Sequence, residues 1–355
     1  MAQKQVVVVG AGIIGASIAW HLTAAGARVT VVDAMEGGGV ATPNSFAWIN
    51  ASWGNPEHYF RLRIRAMAEW RRLAADVPGI PLAWNGGLCF DLPPAELEAY
   101  AREHGSWGYG IRSVDRAVAQ RIEPRLADPP EFALHIAEEG ALEPRATAEI
   151  LLDDAVLRGA RFEPHTPVKT LLERVGKVRG VAAGATTLSA DEVVLAAGVA
   201  TPPLAATAGV DVPLTAPAGL LVHSRLHGRL LNGLVMSPRL HMRQTAEGRI
   251  VASADFAGGD PGSDPAATAE ALFAETKAML RDATDLQLDF HTVGYRPMPA
   301  DGFPIVGRPA GKHGLYLAVT HSGITLAPAL GRFVADEILT GYRDPLIEPY
   351  CVDRF

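Results

Sequence analysis

The chain has 355 residues, 48% hydrophobic and 20% charged, enough for one large or two ordinary domains with a full core. A net charge of −7 at pH 7 argues against nucleic acid as a main partner, and no block of like charge marks a disordered tail. The only cysteines, Cys89 and Cys351, lie far apart, which predicts reduced thiols in a cytoplasmic protein rather than a disulfide framework. The opening MAQKQ runs straight into an apolar stretch without a cleavage site, so no signal peptide is expected. No run of eighteen apolar residues occurs, so no transmembrane helix is expected, while attachment to a membrane through a partner stays open.

Residues 6–9 are a buried-strand pattern that leads into Gly10, Gly12 and Gly15. A helical apolar pattern follows, then a second strand pattern at 29–32 that ends in Asp33. This arrangement predicts a βαβ unit that holds a dinucleotide. Gly10 permits the tight turn, Gly12 lets the backbone approach a diphosphate, and Gly15 allows close helix–strand packing, with the helix N-terminus facing the phosphates. Asp33 stands at the distance expected of a carboxylate that accepts hydrogen bonds from ribose hydroxyls. The bland alternative is a glycine-rich turn in an ordinary parallel sheet. The strand patterns on both sides and the following carboxylate argue against it.

Residues 37–55 hold three glycines and Pro43 before residue 50 and read as a loop. A helix is predicted at 57–77, with Phe60, Ile64, Met67, Trp70 and Leu73 at spacings of three or four. Residues 84–92 read as a strand with a glycine kink, and 95–104 as a helix capped by Pro93 and Pro94. After a mixed stretch, the α/β pattern returns near 145 with a helix and a strand start. The stretch from Val168 to Ala183 suggests a β-hairpin or meander, and 191–201 a buried strand ending in a turn of small residues. Strand signals fill 214–256. A helix at 264–283 begins with Asp264 as N-cap and Pro265 in the first turn. Residues 288–295 form another strand. Near the end, a strand at 314–320, a turn at 321–323 and a helix closed by Gly341 make a second strand–turn–helix.

The predicted fold class is therefore α/β. A discontinuous, Rossmann-like nucleotide-binding domain takes residues 1–55, 145–213 and 296–355. Residues 56–144 and 214–295 make an α+β domain on an antiparallel sheet, to which the substrate is assigned.

Four blocks together resemble the FAD-dependent D-amino acid oxidase superfamily, whose members include glycine oxidase, sarcosine oxidase and D-amino acid dehydrogenase. They are GAGIIG with Asp33; the loop GGGVATPNSFA; VVLAAGVAT; and GYRPMPADGFPIVG followed by THSGITLAPALGRFVADEIL. The resemblance covers nearly the whole chain and is loosest in the central domain. It implies FAD. Gly10, Gly12, Ile13, Ile14 and Gly15 would surround the diphosphate, and Asp33 and Ala34 would sit at the adenosine ribose. Val168 would meet the adenine through its backbone, and Ala197 and Gly198 would lie beside the dinucleotide. Ala41, Thr42, Ser45 and Ala47 would pass along the ribityl chain and flavin, although this loop departs from the usual small-Ser…Asn-x-Gly form. The backbone amides around Ser322, Gly323, Ile324 and Thr325 would point at the flavin edge that becomes electron-rich on reduction. A βα loop that serves only packing is the alternative there. No cysteine lies near Arg296, where some of these flavoproteins attach FAD, so the cofactor is expected to be non-covalent.

The resemblance also implies oxidation of an amino acid or secondary amino (imino) acid at the C–N bond, by hydride transfer from the α-carbon. Arg296, in Gly294-Tyr295-Arg296-Pro297, is the expected carboxylate clamp, because its planar fork binds a carboxylate bidentately and the family also places it beside the flavin. Alternatively, Arg296 pairs with Asp301 and fixes the loop. His241 either touches substrate or is a core imidazole. Trp48, Asn50, Trp53, His58 and Tyr59 follow the flavin loop and either wall the substrate pocket or pack. His321 is read as positioned by its turn. No cluster with metal-ligand spacing and no Gly-x-Ser-x-Gly elbow is present, so no metal is expected. The electron acceptor is expected to be O2. The alternatives are a dehydrogenase, free or in a heteromeric complex, that feeds a quinone or partner protein; an NAD(P)-dependent dehydrogenase; and a non-catalytic dinucleotide sensor.

Overall fold

The structure, a computed structural model, describes residues 3–52, 54–255 and 258–355. The strand Gln5–Val9 carries four consecutive buried valines, the pattern of a strand covered on both faces. It pairs in parallel with Arg28–Val32 on one side and Glu192–Leu195 on the other. Arg161–Glu163 and Leu315–Val319 extend the sheet, again in parallel, and Ile305–Gly307 closes one edge antiparallel, making six strands. All six come from the segments 1–55, 145–213 and 296–355. Beside them lies an antiparallel meander, Val168–Arg174, Lys177–Ala183 and Thr186–Ser189.

An eight-stranded sheet, antiparallel apart from the pairing of Leu234–Met236 with Gly87–Cys89, comes from the central segments and ends at Leu288–Tyr295. A small sheet of Trp48–Ile49, Gly140–Leu142 and Leu82–Ala83 joins the two regions. The hydrophobic core is continuous between them, running from Val8 and Trp70 through Phe333 to Leu134, Leu221 and Met236.

Two elements are shorter than their sequence patterns. The strand expected at 84–92 is confined to Gly87–Cys89, because Gly86 turns the chain at φ +79° and donates its N–H to the carbonyl of Glu139. The helix expected to reach 283 ends at Ala278, where Leu280 is drawn into a bridge with Leu126 and Asp282 takes a left-handed φ of +56°. Its start is as predicted: Asp264 accepts from the amides of Ala266 and Ala267.

Three helices are locked together beside the parallel sheet. Ile13–Ala24 packs directly on Gly323–Thr340, and a β-carbon at Gly331 would lie 2.3 Å from Ser17 Oγ and 2.6 Å from His21 Nδ1. Ser17 Oγ donates to the Ala327 carbonyl at 2.7 Å across the same contact. Pro328 removes the N–H that would reach the Ile324 carbonyl, and Trp70 Nε1, from the helix Glu57–Asp76, donates to that oxygen at 2.9 Å instead. Glu69 of that helix also accepts from Arg332 at 2.9 Å.

Gly331→Ala should force the two helices apart and cost about 1–3 kcal/mol, as overpacking does. Thermal unfolding should show a melting temperature lower by a few degrees.

Candidate functional site

Val9, Val32 and Val319 close three parallel strands, and Ala196 follows a fourth; all four residues line one cavity of about 560 Å³. Ligands of open α/β sheets sit at this end of the strands. The N-termini of Ile13–Ala24 and Gly323–Thr340 open into the same space. At one end the lining includes Asp33, Thr166 and Val168; at the other, Trp48, Asn50, Arg63, Arg296 and His321.

Most residues assigned to the dinucleotide from sequence lie on this lining. Gly10, Gly12, Ile13, Ile14, Asp33 and Ala34 come from the first βαβ unit, and Ala41, Thr42, Ser45 and Ala47 from the loop after it. Val168, Ala197 and Gly198 face them, and Ser322, Gly323, Ile324 and Thr325 close the far side. Gly15 is not on the lining. It sits inside the helix, where a β-carbon would fall 1.9 Å from the Gly10 carbonyl oxygen, so its role is packing.

The cradle suits an elongated dinucleotide. Gly10 takes φ +106°, and a β-carbon there would lie 2.4 Å from the Ala196 carbonyl oxygen. Among the described residues nothing lies within 4 Å of such a position at Gly198, whose backbone lines the cavity. Asp33 accepts from the Ala11 amide at 2.6 Å and the Met35 amide at 2.8 Å, ordering the turn with the carboxylate expected at a ribose. The amide of Ile13 donates to Thr42 Oγ1 at 3.1 Å, tying the glycine turn to the loop. Ala47 holds φ +63°, a left-handed conformation that stores strain at this loop. At the far end Ser322 provides no side-chain cap, which leaves the first turn of its helix open toward an electron-rich group.

The wall segment 46–52 is held from behind by buried polar groups that sequence reasoning did not single out. Arg243, 4% exposed, donates from Nε to the Phe46 carbonyl at 2.6 Å and pairs with Glu143 at 3.0 Å. Glu139 accepts from Trp48 Nε1 at 2.9 Å, from Ser52 Oγ and from the Tyr109 hydroxyl. Burial pushes its carboxyl up to about 7, against the pull of those three donors and of Arg63. Arg63 donates to the carbonyl and Oδ1 of Asn50 and to Ser322 Oγ. A charged residue on the inner stripe of the predicted helix, between Phe60 and Met67, was the available signal for it.

Other residues stand elsewhere than expected. Tyr59 does not wall the cavity; it is buried among Phe303, Tyr350 and the Arg63 guanidinium. His58 packs on Phe303. His241 does not reach the cavity either, lying behind Phe46 with Nε2 3.4 Å from Asp91. Trp53 lies outside the described residues. Asp301 pairs with Arg354 at 2.7 Å, whereas the charge acting on Arg296 is that of Asp255, which opposes the lowering caused by burial. His321 is driven down to about 3 by burial and by Arg63 and Arg296, and so is neutral at physiological pH. Among the described residues no cluster suits a metal ion.

The family described as FAD dependent oxidoreductase matches the chain over residues 5–337. Glycine oxidase of Bacillus licheniformis is 28% identical over 344 residues, covering 94% of this chain and 92% of that protein. An opine oxidase subunit of Agrobacterium tumefaciens (strain Ach5) is 25% identical over 374 residues, covering 100% and 98%. The crystal structure of L-proline dehydrogenase from P. horikoshii shares the fold with a TM-score of 0.88 at 23% identity, covering 99% of this chain and 98% of that one.

Burial holds the Glu139 carboxyl above the ordinary carboxylate range. Its folded-state value lies above the ordinary 4.5, so its stabilising contribution is complete below pH 4.5 and fades as pH rises through about 7. A pKa difference of one between the folded and unfolded states corresponds to about 1.4 kcal/mol. Glu139→Gln stays neutral and should lose less stability than the parent between pH 5 and pH 8, as read by urea unfolding at both values.

Proposed function

The chain belongs to the family of FAD dependent oxidoreductases, and from that premise we propose that this enzyme oxidises the C–N bond of an amino acid or secondary amino acid. The observation that carries the reading is the meeting, in one cavity, of the glycine cradle, an uncapped helix N-terminus and the Arg296 guanidinium. When bound, FAD supplies the acceptor that takes the α-hydrogen as hydride. The nitrogen lone pair then forms the C=N bond, and water hydrolyses the imine to a keto acid and an amine. The family match removes the NAD(P)-dependent alternative, and an enzyme of this family is not a mere dinucleotide sensor.

Arg296 binds the substrate carboxylate through its planar fork and so aims the α-carbon. Gly323, Ile324 and Thr325 present backbone dipoles that favour negative charge, by about 0.3–1 kcal/mol when exposed and more when buried. No carboxylate lines this end of the cavity among the described residues, and His321 is too weak a base at about 3, so the amine proton passes to solvent. Neither Cys89 nor Cys351 lines the cavity, which favours non-covalent FAD. The two free thiols suit a reducing compartment, and the cytoplasm is the proposed location. No helix among the described residues is long and apolar enough to cross a membrane.

O2 is the acceptor in the leading form of the proposal. A full-length relative named as one subunit of an oxidase favours a second form, in which electrons pass to a quinone or partner protein. Peroxide release against dye reduction separates them, after anaerobic bleaching of the flavin band by a panel of D-, L- and N-alkyl amino acids. A yellow enzyme that no such amine bleaches would overturn the reading. Arg296→Leu should raise KM at least about 30-fold while FAD stays bound, the scale expected when one partner of a buried charge pair is removed. Acid precipitation should leave the yellow colour in the supernatant.

A further inference from the structure

Arg63 is a cation that the fold buries without an ion-pair partner among the described residues. It is 6% exposed and lines the cavity. Nε and Nη2 donate to the Asn50 carbonyl at 3.0 Å and Oδ1 at 2.6 Å, and Nη1 donates to Ser322 Oγ at 2.8 Å. Its guanidinium carbon also lies 5.4 Å from the centre of the Tyr59 ring. All these partners are neutral. A guanidinium has five N–H donors, so two remain for a ligand. The acidic group behind this wall, Glu139, feels the Arg63 charge, but its oxygens are engaged by Trp48, Ser52 and Tyr109, burial holds it up at about 7, and it makes no contact ion pair with Arg63. Leaving a buried charge unpaired is strongly unfavourable, so its complement is an anion that arrives from outside.

A second guanidinium, Arg296, lines the same cavity just beyond the strand Leu288–Tyr295. His321 links the two: it adjoins Ser322, which receives the Arg63 hydrogen bond, and both cations act on its imidazole. The uncapped helix start already suits the electron-rich ring edge, and Arg296 suits an α-carboxylate. We propose that the substrate carries two carboxylates, one held by Arg296 and the second by Arg63: an amino acid with a further carboxylate on its side chain or on its nitrogen substituent. This rests on the C–N oxidation proposed above. Sequence resemblance assigns no role to Arg63.

Matched pairs test it on the FAD-loaded enzyme without any variant. Iminodiacetate is sarcosine with a carboxylate added to the N-methyl group, and aspartate is alanine with one added to the side chain. In at least one pair, kcat/KM for anaerobic flavin reduction should favour the dicarboxylate at least about 30-fold; which pair responds tells where the second carboxylate sits. Arg63→Gln should lower that value at least about tenfold more for the dicarboxylate than for its partner, and Arg63→Lys should restore part of the difference. Equal rates within both pairs, or an equal loss for both members in Arg63→Gln, would overturn the proposal. If no amine reduces the flavin, the C–N reading fails on its own, and succinate titration followed by flavin absorbance still decides this one. Binding that weakens in Arg63→Gln supports an anion anchor, and no binding to the parent enzyme overturns it.

Discussion

Gly331 is the point on which the site depends. Its missing side chain lets Gly323–Thr340 approach Ile13–Ala24 until Ser17 reaches the Ala327 carbonyl. Two helices from opposite ends of the chain are thereby held side by side, and both begin at the rim where the parallel strands end. Each helix start carries unsatisfied amides and a positive dipole end. One lies beside the turn suited to phosphates, the other beside the end suited to a ring. The Trp70 indole, by serving the carbonyl orphaned at Pro328, keeps the second helix intact through its first turns.

Between these fixed helix starts runs the loop that walls the cavity. It is anchored mainly by buried polar groups: Arg243 holds Phe46, Glu139 holds Trp48 and Ser52, and Arg63 with Thr325 holds Asn50. Buried polar groups are costly when unpaired and rigid when fully satisfied. The network therefore ties the shape of the cavity wall to the eight-stranded sheet, since Arg243 lies on it and Glu139 follows one of its strands. Ala47, strained at φ +63°, lies within this anchored stretch, where the surrounding bonds can hold it.

The electrostatics of the far end follow from the same packing. A helix start, Arg63 and Arg296 converge there, and His321 among them is kept neutral at about 3. Asp255, which is not on the lining, acts on Arg296, and the imidazole between the two guanidiniums does not titrate at working pH, so the cavity end suits electron-rich and anionic groups.

What the sequence by itself determined was local. Glycine spacing, valine runs and helical periodicity gave the βαβ unit, the final strand–turn–helix and Asp264 as an N-cap, because backbone conformation and apolar period are properties of neighbouring residues. The ends of 84–92 and 264–283 were not legible, since Glu139 and Leu126, distant in sequence, decide where those elements stop. Nor were the fates of Tyr59 and His241, whose side chains face Phe303 and Asp91 rather than the cavity. Arg63, Glu139 and Arg243 acquire their roles only from the tertiary structure. A buried charge is defined by its surroundings, and those are assembled from segments that meet only when the chain folds.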